Sequence, residues 1–251
     1  MSVEITGLVI AKNEAVDLPD ALGSWQSICD ALVVVNNESA DDTREIALAY
    51  SAKVIDACMD TETGFSGLRN AGLETVGTSH VLVFDADERP TPTLLHSIRN
   101  AIVANANAAY RFRRRNNALG GWLDHGRFSP DWQIRLFQSD TRYQGKVHEL
   151  PILSSDTAIV DLEGYAEHFT YRSLGEYVAK MVDYAEKYAS EHDAPTLVEA
   201  IKAGPRNLIR HHGYRDGWRG VAMAAGDSWQ EWMIRRFSLQ VEGNQTTSRE
   251  S

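Results

Sequence analysis

Three carboxylates fall within four positions in the stretch Val81-Leu82-Val83-Phe84-Asp85-Ala86-Asp87-Glu88. Oxygen-only donors at this density suit a hard divalent cation, Mg²⁺ or Mn²⁺, of the kind that accompanies a substrate diphosphate. The apolar residues just ahead fit a strand buried on both faces, and in open α/β sheets ligands bind at the carboxyl ends of the strands. The competing reading is a solvated acidic turn before Pro90. Four arginines at 111, 113, 114 and 115 form the sharpest basic cluster. Alternation along a strand places Arg111, Arg113 and Arg115 on one face, either to meet an anionic acceptor or to pair with nearby acids. His148-Glu149 is not the start of a zinc-protease motif, because Leu150-Pro151-Ile152 breaks the His-Glu-x-x-His spacing and Pro151 opposes the helix it needs. His211 and His212 are adjacent, so a helix sends them in different directions and metal binding is disfavoured.

The elements that would position these groups alternate strand and helix. Val3 to Ala11 reads as a first strand, and Leu18, Ala21, Leu22, Trp25 and Ile28 follow at helical spacing behind Asp17 as N-cap. Ala31 to Val35 is a second buried strand ending in the polar turn Asn36 to Thr43, then a helix through Ile46, Ala47 and Tyr50. Lys53 to Asp56 is a short third strand, a helix spans about Ser66 to Glu74, and Thr91-Pro92 opens a helix carrying Leu94, Ile98 and Ile102. This succession predicts an α/β fold with a mixed, mostly parallel sheet and helices on both faces. Neither Gly-x-Gly-x-x-Gly nor a P-loop is present, which takes most of the support from ordinary dinucleotide and P-loop readings.

Beyond Ala109 short strands are expected up to Phe169. Capping boxes at Ser173 to Glu176 and Thr196 to Glu199 then announce a C-terminal helical extension. The expected organisation is a catalytic domain over 1–170, a helical region over 171–240 and a polar, frayed tail over 241–251. Trp218, Trp229, Trp232 and Met233, with Arg235, Arg236 and Phe237, read first as a helix packing on the core. A lipid-facing role is the alternative.

The 251 residues are 43% hydrophobic and 24% charged, ordinary for a globular protein, and the net charge of -10 argues against nucleic-acid binding. Two cysteines and no recognisable signal peptide point to a reducing cytoplasm. Apolar runs are strand-sized, so any membrane contact is expected to be peripheral, at the inner face.

Several short motifs occur together: Ala11-Lys12-Asn13-Glu14 after the first strand, Ser39 to Thr43 after the second, Gly64-Phe65 with Arg69-Asn70, and Asp85-Ala86-Asp87-Glu88. Gly121-Trp122 with His125-Gly126, Asp131 with Arg135-Leu136-Phe137, Val147-His148-Glu149 and His168 to Arg172 follow in order. Together they resemble the family-2 glycosyltransferases of the GT-A fold, and in particular the branch of lipopolysaccharide-core β-glucosyltransferases. The resemblance implies a Rossmann-like GT-A domain and a nucleotide-diphosphate sugar donor, with a UDP-sugar favoured. It implies that Asn13, Glu14, Asn36 and Asp41 hold the nucleoside, that Arg69 and Asn70 face the ribose or diphosphate, and that Asp85, with Ala86 beside it, reaches the ribose or metal. Asp87 would bind Mn²⁺ or Mg²⁺, and His168 would complete its coordination. The family pattern has an aspartate where this chain has Asn36, and Ser-Gly where it has Asn37-Glu38. An amide donates as well as accepts, so the pattern offered to the base changes.

Transfer to an acceptor hydroxyl needs a base, and inversion needs only one. Glu149 stands at the family's acceptor-side acidic motif, and Asp131 in the segment flanking the acceptor; Glu149 is favoured. The plain structural roles are an arginine partner for Glu149 and a cap before the Trp132 strand for Asp131. Trp122 or Trp132 is placed to stack under a sugar. The expected activity is metal-dependent, inverting transfer of a sugar to a glycan, glycolipid or small-molecule hydroxyl. The rivals are a sugar-phosphate nucleotidyltransferase, which this chain lacks the Gly-rich phosphate loop to support, and a non-catalytic nucleotide-sugar binder.

Overall fold

In the computed structural model, residues 4–145, 149–191 and 194–247 are described. They form two compact units, the first from residues 1–114 with 132–168 and the second from residues 115–131 with 169–251.

The first unit opens with β1 (Ile5–Ala11), α1 (Leu18–Trp25), β2 (Ala31–Asn37), α2 (Thr43–Ala49), β3 (Lys53–Ala57), α3 (Gly64–Leu73) and β4 (His80–Val83). Strands β3, β2, β1 and β4 lie side by side and parallel, in that order. Because successive side chains point to opposite faces, every apolar run here feeds two cores. Ile5 and Val9 of β1, Leu32 and Val34 of β2, and Leu82 and Phe84 pack with α1 through Leu18, Leu22 and Trp25. Leu8, Val33, Val35, Val81 and Val83 point the other way and are covered by Leu68 and Leu73 of α3. Helices on both faces follow from that double demand.

The chain continues through β5 (Glu88–Pro90), α4 (Pro92–Ala104), β6 (Ala109–Ala118), β7 (Gly121–Leu123), β8 (Asp131–Gln138), β9 (Tyr143–Gln144), β10 (Leu150–Pro151) and β11 (Ile159–Tyr171). β8 extends the sheet antiparallel to β4, and β5 pairs antiparallel with β11. Two features differ from expectation. The acidic stretch enters a strand at Glu88 instead of ending in a turn. β11 is one strand of 13 residues, not several short ones. Gly164 interrupts its alternation at φ +85°, where an added Cβ would lie 2.5 Å from the backbone nitrogen of Leu94, so β11 crosses the first turn of α4 at a point only glycine fits. Asp17 flanks α1 but makes no side-chain cap; its carboxylate turns to Arg89 Nη2 at 3.3 Å.

The second unit contains β7, the ends of β6 and β11, and α5 (Leu174–Glu191), α6 (Leu197–Pro205) and α7 (Gly217–Thr247). Residues 115–131, expected in the first domain, fall here. Thr196 and Glu199 close the capping box at α6, with the Glu199 N–H donating to Thr196 Oγ1 at 3.2 Å and the Thr196 N–H to Glu199 Oε2 at 2.7 Å. α7 runs on to Thr247, where irregular chain was expected from Val241: extending an existing helix adds one bond per residue without a new nucleus.

Candidate active site

β4 delivers Asp85 to the end of the sheet, and a tight turn follows, in which the Glu88 N–H donates to the Asp85 carbonyl at 3.0 Å and the Asp85 N–H to Glu88 Oε2 at 3.2 Å. Three arginines converge on this turn from distant parts of the sequence. Arg135 of β8 reaches Asp85 Oδ2 at 2.6 Å and Glu88 Oε1 at 3.0 Å. Arg114 of β6 lies 3.4 Å from each carboxylate, and Arg69 of α3 lies 3.2 Å from Asp85 Oδ1. Burial opposes ionisation of both acids, with different outcomes. At Asp85 the charges of Arg135, Arg69 and Arg114 outweigh it and hold the carboxyl well below the usual carboxylate range. At Glu88, fully buried, burial dominates, Arg135 opposes it, and the Asp85 charge adds to the rise, so its pKa goes up.

Arg69 links this turn to Glu149. Its Nε donates to Glu149 Oε1 at 2.9 Å and its Nη2 lies 2.8 Å from the same oxygen, while its guanidinium sits over the Tyr143 ring. Both contacts fall on Oε1 of Glu149. Arg69 and Arg135 are 5% exposed, and Arg69 Nη1 and Arg135 Nε find no hydrogen-bond acceptor among the described residues. Asn70, next on α3, spends its amide on Tyr143, taking its N–H at 2.8 Å and donating to its carbonyl at 3.0 Å. Around Asp85, Arg69 and Glu149 opens a pocket of about 330 Å³ whose wall includes Arg111, Arg114, Trp132 and Tyr143. Val147 and His148 lie outside the described residues.

Asp87 and His168 meet because β5 and β11 pair with His168 opposite Glu88. Asp87 Oδ2 and His168 Nε2 are 3.3 Å apart, a separation that two ligands of one octahedral ion adopt. Among the described residues no three His, Cys, Asp or Glu side chains gather closely enough to hold a metal. One carboxylate and one imidazole are chemically able to ligate a Mg²⁺ or Mn²⁺ ion, whose remaining ligands would have to come from outside these two residues. Ala86, between the two aspartates, is buried and gives its carbonyl to Arg89 Nη1 at 2.8 Å.

The loops after β1 and β2 interlock. Asn13, at φ 57°, donates its N–H to Ser39 Oγ at 3.0 Å and accepts the Ala40 N–H at 2.8 Å. The Glu14 N–H donates to Thr43 Oγ1 at 2.7 Å. Asp41 receives the Thr43 hydroxyl and the Ala15 N–H at 3.1 Å, and these bonds, the hydroxyl foremost, lower its pKa. Asn36 uses the donor that an aspartate would lack: its Nδ2 gives a 2.8 Å bond to Asp56 Oδ1 at the end of β3.

Arg111 pairs with Asp161 at 2.6 Å and lies over the Trp132 ring, whereas Arg114, of opposite parity on β6, turns inward to Asp85. Pairing with acids, the plainer of the two expectations, is therefore what Arg111 does. In the second unit Arg115 likewise pairs with Asp124 at 2.7 Å. There, too, Asp131 accepts from Asn116 Nδ2 at 3.3 Å, His125 Nδ1 lies 2.8 Å from Asp216, and Trp122 packs against Phe169.

The family model described as Glycosyl transferase family 2 matches residues 8–169. The chain belongs to glycosyl transferase family 2. An uncharacterized glycosyltransferase of Rickettsia typhi is 27% identical over 202 residues, covering 75% of this chain and 68% of the relative. A TPR repeat-containing protein of Synechococcus elongatus is 25% identical over 92% of this chain but only 48% of its own length. Among solved structures, glucosyl-3-phosphoglycerate synthase of Mycobacterium tuberculosis in complex with Mn²⁺ and UDP-glucose is 15% identical, with a TM-score of 0.46 over 75% of this chain and 79% of that one. The likeness is to the family at large; the narrower lipopolysaccharide-core branch is not singled out by these matches.

For this family-2 chain, sequence motifs name Asp85, Asp87, Arg69, Asn70, Glu149 and His168, and the fold gathers Asp85, Arg69 and Glu149 about one pocket. Three members of the network went unassigned: Arg135, Arg114 and Glu88. Arg135 carried a signal, since a charge inside the apolar run Ile134-Arg135-Leu136-Phe137 is buried only when paired. Arg114 carried its signal in parity alone.

Proposed function

We propose that the chain transfers a sugar from a nucleotide-diphosphate sugar, a UDP-sugar by preference, to a hydroxyl of a glycan, glycolipid or small-molecule acceptor, with inversion. The observation that carries this reading is Glu149 anchored by Arg69 beside Asp85 in an open pocket, on a chain of this family. Arg69 takes one oxygen of Glu149 and leaves Oε2 to accept the proton of the acceptor hydroxyl as that oxygen attacks the anomeric carbon. Asp87 and His168 would hold the divalent cation, which when bound offsets the negative charge gathering on the departing diphosphate. Asn13, Glu14, Asn36 and Asp41 frame the nucleoside end, and the Asn36 to Asp56 bond turns the amide oxygen of Asn36 to the Ser39 N–H. Asp131 is the alternative base. A cytoplasmic setting agrees with two free cysteines, and contact with the inner face of a membrane would be peripheral.

Calorimetric titration with UDP, GDP, CDP and dTDP, each with Mn²⁺ and again with EDTA, tests the donor half. One nucleotide should bind with metal and not without it, and Asp87→Ala should abolish that binding in a folded protein. Silence from all four nucleotides would sink the transferase reading in favour of a non-catalytic role.

A further inference from the structure

The helical unit leaves an unusual surface uncovered. On α7, Trp218, Ala225, Trp232 and Leu239 recur at every seventh position with Val221 beside them, and Trp218 is 59%, Val221 50%, Trp232 43% and Leu239 47% exposed. The opposite side of the same helix carries Met223, Ala224, Asp227, Gln230 and Ile234, all buried. α6 repeats the pattern, with Leu197, Val198 and Ile201 each more than half exposed, and Ile209 and Tyr214 continue it in the connection to α7. The two helices are fastened to each other by the Gly204 N–H donating to Ser228 Oγ at 2.9 Å and Arg235 Nη1 donating to the Pro195 carbonyl at 2.9 Å. Exposed apolar side chains gathered on two packed helices and their connection point to an interaction surface.

Charge identifies what covers it. Lys202, Arg206, Arg210, Arg215 and Arg236 are exposed among these side chains, and Arg219 and Arg236 stack on Trp218 and Trp232. Of the five acids over residues 196–247, Asp227 and Asp216 have buried carboxylates paired with Arg127 and His125 and Glu199 is held in its capping box, which leaves Glu231 and Glu242 against seven lysines and arginines. A cationic, tryptophan-bearing face on a chain of net charge -10 is the reverse of the molecule's average. A second copy meeting it about a two-fold axis would set these arginines against their equivalents. Anionic headgroups over an acyl layer satisfy both components, since indole rings settle at the headgroup level and each cation near the surface gains from the negative potential.

We infer that the exposed face of α6, α7 and their connection is a docking surface for an anionic lipid bilayer. The contact is interfacial: no helix among the described residues is long and apolar enough to cross a membrane. It concerns where the chain works, and it stands whether or not the proposed reaction does.

Flotation of the whole chain with phosphatidylcholine vesicles, with and without phosphatidylglycerol, and without nucleotide, tests it. The chain should float with anionic vesicles and far less with neutral ones, and Arg206→Gln with Arg210→Gln should weaken partitioning on the order of fivefold for each charge removed. Trp218→Ser with Trp232→Ser should abolish flotation while leaving the chain folded and its nucleotide titration unchanged, because both residues are half exposed on the helical unit. The inference is overturned if neither vesicle retains the chain, if the tryptophan variant floats as well as the parent, or if light scattering finds a dimer that the tryptophan variant dissolves.

Discussion

Glu149 and Asp85 share one arginine but face opposite demands. Glu149→Gln keeps the shape and the Arg69 contact through its amide oxygen while removing the proton acceptor. Donor titration should be unchanged and transfer slowed by ~100-fold or more; if Asp131→Asn has that effect instead, the base is Asp131. Asp85→Asn removes the carboxylate that Arg69, Arg114 and Arg135 share and leaves them Glu149 and Glu88 as partners, and should cost about 3 kcal/mol or more in denaturant unfolding. The two acids of the turn have opposite pH signatures. The depressed pKa of Asp85 contributes stability that is complete above the unfolded value, about 3.9, and is lost as pH falls through the folded value. The raised pKa of Glu88 does the reverse, favouring the fold at low pH and surrendering that contribution as pH rises through the folded value. Glu88→Gln cannot ionise, so its melting temperature relative to the parent should improve from pH 4 to pH 7. A gap that stays constant across that range would mean that Glu88 titrates alike in the folded and unfolded chain, without a raised pKa.

At the scale of elements, the first half of the sheet was legible because each strand is a run such as Leu32-Val33-Val34-Val35, which only burial on both faces explains. β5 and β11 were not. Glu88-Arg89-Pro90 carries no apolar signal, and charges interleave with Gly164 along β11. Yet these two strands bring the proposed metal pair together, because their pairing carries His168 across 81 positions of chain to Asp87. The histidine was anticipated from a family pattern; its partner strand was not. Gly164 governs that pairing, since the Thr91 hydroxyl donates to the Tyr165 carbonyl at 2.9 Å just beyond the point where β11 passes Leu94. Gly164→Ala adds a Cβ against backbone and a strained φ, at a cost of about 1–3 kcal/mol. It should also weaken Mn²⁺-dependent nucleotide binding by displacing His168, while Gly77→Ala, at a position where an added Cβ meets nothing within 4 Å, should do neither.

Over the whole molecule, net charge and local charge pull apart, and they predict opposite responses to salt. A nucleotide-diphosphate sugar approaching a chain of net charge -10 meets a repulsive field. The arginines at the pocket do not reverse it, because Arg69, Arg114 and Arg135 are committed to Asp85, Glu88 and Glu149, and Arg111 to Asp161. Raising ionic strength from ~0.01 to ~0.15 M shortens the screening length from ~30 to ~8 Å and weakens that repulsion, so kcat/KM for the donor at fixed free metal should hold or rise. Retention on anionic vesicles depends instead on exposed cations of the helical unit and should fall over the same range. A steep loss of donor kcat/KM with salt, parallel to the loss of vesicle binding, would mean that the pocket arginines exchange their carboxylate partners for the diphosphate on binding. Arg135→Lys would then separate the two cases: a point charge keeps a committed ion pair but cannot reproduce a two-pronged grip on phosphate. An unchanged KM for the donor in that variant is the expected result if the arginines serve the turn, and a rise of tenfold or more, about 1.4 kcal/mol, is the result expected if they serve the donor.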